Sequence, residues 1–441
     1  MDRRRALKWL AGGAGAVVLA GAGGGYAYRR SMRISRREAN HLRNARFVVA
    51  GGSIGGLTVA ARLRRSFPGA RVTLIEPKKV HHYQPGYTLV AAGVYAREDV
   101  LFDQAELLPS GIEWVREAVE TFEPERNRVI LASGSAVEYD YLVVALGVEA
   151  DWGSTEGLAD ALKTPYAGNI YDLDSGQKFR HLVRNFEGGE AVFTFPQGFV
   201  KCGGAPQKIT WLTEDYLRSA GLRDNCRVHF CSAQASLFPV VPVIERAVTP
   251  KIEARGIENH FREVLRAVDV STRTAIFEKM GEDGSRGEIR RSYDLLHPMP
   301  RFRTPRALRE SVLTAEGLGG QLEIDRHTLV HKRFPNIFGV GDCAATGAPK
   351  TAATIRKQAP VVVENLLDTA LGRPPSRAYD GTSGCPLLTR YGRCMMFEFD
   401  FEGNLVNEWL YQSTRETRVW WQFKVHGLKR LYRHVMIPGW V

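Results

Sequence analysis

No two of the six cysteines, Cys202, Cys226, Cys231, Cys343, Cys385 and Cys394, form a Cys-x-x-Cys pair. That argues against a zinc ribbon and a thioredoxin-type motif. Six cysteines in 441 residues are too few for a disulfide scaffold. A disulfide here is expected to be catalytic rather than structural. Long apolar runs are scarce as well. Trp9–Ala27 approaches the roughly 20 residues that span a bilayer, but its many glycines make a poor autonomous helix. The usual nucleic-acid signatures are missing, although a net charge of +12 invites a search for them. The charge sits at the ends. Met1–Arg46 holds 11 Lys/Arg against two acids, and Asn407–Val441 holds six against two, so the body is near neutral. That distribution suits an anionic membrane surface better than a nucleic-acid groove, and no nucleic-acid partner is expected.

The two ends differ from the body in pattern too. Asp2-Arg-Arg-Arg-Ala-Leu-Lys8 resembles a twin-arginine export signal, and Arg29, Arg30, Arg33, Arg36 and Arg37 follow the apolar stretch. An export signal, a membrane anchor and an Arg-rich mitochondrial targeting segment all fit residues 1–46. At the other end, Trp420, Phe423, Gly427, Leu431 and Val435 recur at helical spacing, bordered by Arg430 and Arg433. Lys424 interrupts the stripe and is expected to snorkel outward. With Trp421, Tyr432 and Trp440, this reads as a basic amphipathic helix at a membrane interface. A core or dimer helix would show the same aromatic spacing.

What is present begins with a dinucleotide-binding turn. Arg46–Ala50 reads as a strand, Gly51-Gly-Ser-Ile-Gly-Gly56 as the turn, Leu57–Leu63 as a helix, and Arg71–Glu76 as a second strand ending in an acid. Small residues let the backbone approach a pyrophosphate, and the helix start offers free N–H groups. Gly51, Ser53, Ile54, Gly55 and Gly56 are the candidate phosphate turn. Ser53 stands where the fingerprint has its middle glycine. Glu76 is placed to accept from ribose hydroxyls, which favours an unphosphorylated adenosine ribose over NADP.

Two later strings point to FAD. Tyr139–Gly147 reads as an apolar strand ending in glycine, and Asn336–Asp342 as a strand delivering an acid into a loop. Both resemble paired elements of flavoproteins with two dinucleotide-binding domains. The resemblance implies that Asp342 lies near the flavin side of the cofactor. It also implies that Lys350, before a helix starting near Ala352, lies near the flavin pyrimidine, where positive charge favours the anionic reduced form. A second Gly-x-Gly-x-x-Gly is lacking. The mid-chain strand Ala191–Pro196 leads into Gln197–Lys208, with a proline and a cysteine where a phosphate turn would stand. A nicotinamide donor is therefore not expected.

Lys201-Cys-Gly-Gly-Ala-Pro-Gln-Lys208 and Tyr379-Asp-Gly-Thr-Ser-Gly-Cys-Pro386 together resemble the sulfide:quinone oxidoreductases, in their mitochondrial-type branch. His82–Pro85, Tyr141–Gly147, Leu296-His297, Gly341–Cys343 and Lys350–Ala353 extend the resemblance from about Phe47 to about Phe401. It implies that Cys202 and Cys385 are the active cysteines and that Gln84 and the Val119 backbone contact FAD. It further implies that hydrogen sulfide attacks a disulfide or trisulfide joining Cys202 and Cys385, leaving a persulfide on Cys202 and a thiolate on Cys385 that attacks the flavin. The persulfide sulfur passes to a small thiol or sulfite, and two electrons reach a quinone through FAD. Nearby cations lower a thiol's pKa, and Lys201 and Lys208 are the candidates. Cys226 and Cys231, five apart on one strand, are expected to face opposite sides and to be structural. No role is expected of Cys394, nor one beyond packing for Cys343. His81, His82 and His297 show no metal-ligand spacing, and no metal is expected.

The expected fold is α/β, with two Rossmann-like domains and a C-terminal membrane-associating segment. The FAD-binding domain is expected over 47–151 and 315–374, and a second Rossmann-like domain carrying Cys202 over 152–314. Residues 375–441 would carry Cys385 and the amphipathic helix. Gly281–Arg290 is expected to be a surface loop. The implied address is the mitochondrial inner membrane or a bacterial envelope. A type-2 NADH:quinone oxidoreductase shares the expected fold, but the missing fingerprint and the cysteine pair oppose it. A flavocytochrome c sulfide dehydrogenase subunit would fit an export signal.

Overall fold

The computed structural model describes residues 35–440. Most of the N-terminal targeting or anchor segment therefore lies outside the described residues. Its last part is folded. Arg36–His41 is a short helix closed by a Ser35–Glu38 capping box. Glu38 pairs with Arg373 at 2.8 Å, and Leu42 is buried in the first core. The folded body thus begins before Phe47, a correction to the boundary at residue 46. A run this polar hides one buried leucine from any periodicity argument.

Two parallel sheets organise the rest. In the first, β1 (Arg46–Ala50) lies between β2 (Arg71–Ile75) and a later strand, with α1 (Ile54–Ser66) between β1 and β2 in sequence. β3 (Ile112–Val115) extends the β2 edge, and β4 (Tyr141–Val144) pairs with the other side of β1. β1 and β4 are buried along nearly their whole length, as expected of strands covered on both faces. A three-stranded antiparallel unit, Val119–Glu123, Arg128–Leu131 and Ala136–Glu138, is inserted before β4.

The second sheet repeats the plan. β5 (Gly189–Phe195) is followed by α2 (Ala205–Ser219) and β6 (Cys226–Ser232), then β7 (Ile257–Phe261) and β8 (Leu295–His297). The order is β7-β6-β5-β8, all parallel. Cys226 belongs to the core on one face of this sheet and Cys231 to the core on the other. Glu263–Asp269, Thr274–Met280 and Arg286–Ser292 form an antiparallel meander. The expected loop Gly281–Arg290 is therefore a tight turn feeding an edge strand, a correction. Solvent-facing positions on an edge strand leave its sequence as polar as a loop. Glu149–Asp151 and Arg301–Arg303 pair antiparallel where the chain crosses between the sheets.

β9 (Ile337–Gly339) then returns to pair with β4, giving the order β3-β2-β1-β4-β9. That is the strand order of a dinucleotide-binding sheet. α3 (Ala352–Ala370) packs against α1. β10 (Ser383–Arg390) and β11 (Arg393–Phe399) form a hairpin beside α2 and α3.

The C-terminal stretch is helical from Arg418 to Met436 but is interrupted by two wide turns, Phe423–Gly427 and Tyr432–Met436. Wide turns advance the inward face by more than an ordinary helical turn. The buried residues are Trp421, Lys424, Val425, Tyr432 and Met436. The expected stripe of Trp420, Phe423, Gly427, Leu431 and Val435 lies half-buried along the flank. Lys429 pairs with Asp99 at 2.7 Å and Arg433 with Glu106 at 3.0 Å. The helix thus docks on the first domain through the residues beside that stripe, and the stripe itself lies between this contact and solvent. Among the described residues no helix is long and apolar enough to cross a membrane.

Candidate active site

The phosphate turn is built from backbone constraints. Gly51 leaves β1 at φ +108°, and a Cβ there would lie 2.4 Å from the Ala145 carbonyl oxygen. A Cβ on Gly56 would lie 1.8 Å from the Gly51 oxygen, so only glycine lets α1 come this close. Ser53 is extended, with φ −77° and ψ −167°. A serine therefore replaces the middle glycine without strain. Its side chain makes no capping bond, which leaves the amides at Ile54 and Gly55 open to an anion. Gly147, beyond β4, has open space where a side chain would point. A free helix start facing a glycine cradle fits a dinucleotide.

Glu76 stands at the end of β2. Its carboxylate accepts from the Gly52 N–H at 2.8 Å and the Lys78 N–H at 2.9 Å. A carboxylate retains further lone pairs for ribose hydroxyls. Buried Gln104, which sequence reasoning missed, donates to the Gly52 carbonyl at 2.8 Å and meets His81 at 3.1 Å. His81 in turn meets the Tyr432 hydroxyl at 2.7 Å. Hydrogen bonds thus run from the turn to the C-terminal helix. Val119 opens its strand half-buried against the first core.

The other FAD-side residues gather around Asp342. Burial pushes the Asp342 carboxyl up, while Lys201 and Lys350 pull it down. Lys350 is itself buried, its ammonium donating to the Ala344 carbonyl at 2.7 Å. Burial pushes its pKa down. Lys201 donates to Gln84 at 3.2 Å, so Lys201 belongs to this cluster and not to the sulfur atoms.

The two candidate cysteines, 183 positions apart, are brought together. Cys202 sits at φ +51°, a left-handed conformation that a side chain disfavours and that occurs preferentially at functional sites. Its N–H donates to the Lys350 carbonyl at 2.8 Å, and its carbonyl accepts from Ala205 at 2.7 Å. α2 begins directly after it, with Gly204 at the cap. A Cβ on Gly204 would lie 2.8 Å from the Cys385 sulfur. Cys385 is the third residue of β10 and buried, although a Gly-Cys-Pro string by itself reads as a loop. β10 is an edge strand, where a proline removes no ladder hydrogen bond. Ser383 holds the register, its hydroxyl 3.0 Å from both Thr351 and Thr354 at the start of α3. All six cysteines are free thiols.

Electrostatics sorts the pair. The thiol of Cys385 donates to the Cys202 sulfur, and Lys208 lies 3.3 Å from it. Together with Lys424, these hold the Cys202 thiol well below its ordinary range against the effect of burial. The bond to Cys202, then burial, pushes Cys385 up. Cys202 is therefore the thiolate of the reduced pair, made so by its hydrogen bond and by the cation beside it. Of the two candidate cations, Lys208 is the one at the sulfur.

Lys424 was expected to point outward and points inward. Its side chain is buried, its ammonium donating to the Pro85 carbonyl at 2.8 Å. Burial, then repulsion from Lys208, pushes its pKa down to about 8, opposed by the cysteine sulfurs. Nothing in the spacing identified it, because the wide turn at Phe423 decides which face looks in.

The remaining candidates are packing groups. His297 is buried against Phe179 and Phe193 and accepts from the Ile170 N–H at 3.2 Å. Burial lowers its pKa to about 3. His82 meets the Tyr87 hydroxyl at 2.5 Å. Cys343 is buried, its thiol pushed up to about 11 by desolvation. Cys394 is buried too and pushed up to about 12 by desolvation.

The pyridine nucleotide-disulphide oxidoreductase family matches residues 45–204. The mitochondrial sulfide:quinone oxidoreductase of Dictyostelium discoideum is 34% identical, over 92% of this chain and 89% of its own length. A solved structure of the sulfide:quinone oxidoreductase from Aquifex aeolicus superposes with a TM-score of 0.75 at 22% identity. That match covers 90% of this chain and 92% of the other. A chain in the Tetrahymena thermophila mitochondrial ATP synthase superposes with a TM-score of 0.78 at 19% identity, over 92% of this chain and 98% of that one. Likeness at these identities is a likeness of fold.

Proposed function

The chain belongs to the sulfide:quinone oxidoreductase family, and on that premise we propose that Cys202 and Cys385 are the redox pair of an FAD-dependent enzyme oxidising sulfide and reducing a quinone. The observation that carries the residue assignment is the meeting of these two sulfurs beside Lys208 and Lys424. FAD, when bound, accepts two electrons from the sulfur pair and releases them to the quinone. The turn Gly51–Gly56 would hold its pyrophosphate and Glu76 its adenosine ribose. Gln84, Val119, Asp342 and Lys350 would line the rest.

The protein's own groups supply the sulfur chemistry. HS⁻ attacks the oxidised pair, its sulfur bonding to Cys202 as the bond to Cys385 breaks. Cys202 then carries a persulfide and Cys385 leaves as a thiolate. Lys208 holds the negative charge on the Cys202 side, and the α2 N-terminus adds its positive dipole end. A small thiol or sulfite takes the outer sulfur and leaves Cys202 as a thiolate. Closing the disulfide again from the two thiolates releases two electrons. The helix that would face a nicotinamide pyrophosphate in the second domain thus faces sulfur instead. Nine residues, including Pro196 and Cys202, separate β5 from α2 where a tight phosphate turn would stand.

Membrane association belongs to the same reading. Trp409, Leu410 and Val419 are large apolar side chains left exposed beside the C-terminal helix, and Arg418 and Arg430 are exposed with them. They would rest on a membrane at the quinone side, in a mitochondrion as for the Dictyostelium relative, or in a bacterial envelope.

Anaerobic flavin absorbance tests the assignment. Sulfide should bleach the flavin and a short-chain quinone should restore it, while Cys202→Ser and Cys385→Ser keep their FAD and do neither. Bleaching by NADH in all three proteins, with no response to sulfide, would overturn it.

A further inference from the structure

Outside the sulfur site, another cluster of ligand-type side chains stands on one face of the second sheet. Glu190 on β5, His229 on β6, and Glu258 and His260 on β7 come from adjacent parallel strands. His229 is buried, and Glu258 and His260 are partly open to solvent. The His229 Nε2 lies 2.6 Å from a Glu190 oxygen. That contact fixes the tautomer: Nε2–H donates to the carboxylate and Nδ1 keeps a lone pair. Nδ1 lies 3.0 Å from Nε2 of His260 and 3.4 Å from Oε2 of Glu258, and these last two atoms are 3.8 Å apart.

We propose that His229, Glu258 and His260 bind one divalent transition cation of the zinc class, with Glu190 orienting His229. Ligands about 2.0–2.1 Å from a tetrahedral ion lie about 3.3 Å from one another, and the three separations bracket that value. Two imidazoles and a carboxylate are a donor set suited to zinc. A ligating histidine usually donates its other N–H to a carboxylate, and Glu190 supplies that partner. Without the ion, the two imidazoles share a proton between Nδ1 and Nε2. The cation takes the proton's place, and the half-exposed His260 ring opens the short 3.0 Å contact by a few tenths of an ångström. Water fills the fourth position from the solvent side. Arg227 approaches Glu258 at 3.3 Å and Glu190 at 3.4 Å. Its side chain is well exposed, and such a pair is weak enough to yield to a metal. The ion ties β6 to β7 and raises the stability of the second domain.

Tag-free holoenzyme stripped of metal by a chelator is titrated with Zn²⁺ against a chromophoric chelator, beside Glu258→Gln and His260→Gln. Thiols also take zinc, so the difference between wild type and variants is the readout. Both variants should bind one equivalent fewer and lose the zinc-dependent rise in melting temperature. Their FAD content and metal-free sulfide turnover should match wild type. Glu258 is partly exposed, so its variant folds even if His260→Gln does not. Equal zinc uptake by wild type and Glu258→Gln, or none by wild type, overturns the proposal.

Discussion

Lys424 is charged at neutral pH although its side chain is buried. Its pKa of about 8 lies below the ordinary lysine value, so burial of the charge opposes folding. Holding that buried charge opposes folding by about 3 kcal/mol below pH 8. Between pH 8 and about 10.5 the unfolded chain holds the proton that the folded chain has lost. Wild-type stability should therefore rise relative to Lys424→Met across that window and be flat relative to it below. Denaturant melts at stepped pH measure this. Lys208 acts in the opposite sense, on the sulfur. Lys208→Met should move the pH midpoint of Cys202 alkylation upward and slow iodoacetamide modification at pH 7 by roughly tenfold or more, the size of a one-unit pKa change. Cys202 and Cys385 could be singled out as candidates because each sits in a distinctive string. Lys424 was not, because its role depends on a helix register that local widening alters. Gln104 was not, because a lone glutamine carries no signal until the turn it supports is built.

At the scale of elements, the glycine turn and its two strands could be read from the chain because each requirement is local. A Cβ at Gly56 has no room against the Gly51 carbonyl. Gly56→Ala should push α1 off β1 and lower the FAD content of the purified protein several-fold, read as the ratio of flavin to protein absorbance. Loss of flavin should exceed loss of helical signal in circular dichroism. Cys385 shows the opposite case. A Gly-Cys-Pro string reads as a loop, yet it is an edge strand whose neighbours arrive from far along the chain. The C-terminal helix shows why an aromatic stripe is ambiguous. Its residues were identified, but the inward face is one position removed from the expected stripe.

The whole molecule divides its chemistry between sheets. One sheet holds the dinucleotide turn, the other presents Cys202, and the β10–β11 hairpin supplies Cys385 across the seam. Two Rossmann-like halves could be expected from the chain, but their strand orders and the seam could not, because no local pattern reports what distant strands or two domains do to each other. The exposed apolar rim at Trp409, Leu410 and Val419 also belongs to this scale. Replacing Trp409 and Val419 together with serine should weaken flotation with anionic vesicles at least tenfold. Turnover with a water-soluble quinone should stay unchanged. Equal flotation would place the docking surface elsewhere.

The hydrogen-bonded tie between His81 and Tyr432, with Lys424 beside the sulfurs, has a bearing on biosynthesis. Lys424 follows both sheets and the β10–β11 hairpin in the chain, so those parts can begin to fold on the ribosome before it emerges. The nascent protein can acquire its dinucleotide turn and one reactive thiol, yet it lacks the cation pair and the closing helix until that stretch has been made. Because loop-closure entropy grows only logarithmically with separation, the late arrival adds little thermodynamic penalty. It makes the sulfur chemistry a property of chains that include this helix, so products truncated before Lys424 should bind flavin without acting on sulfide.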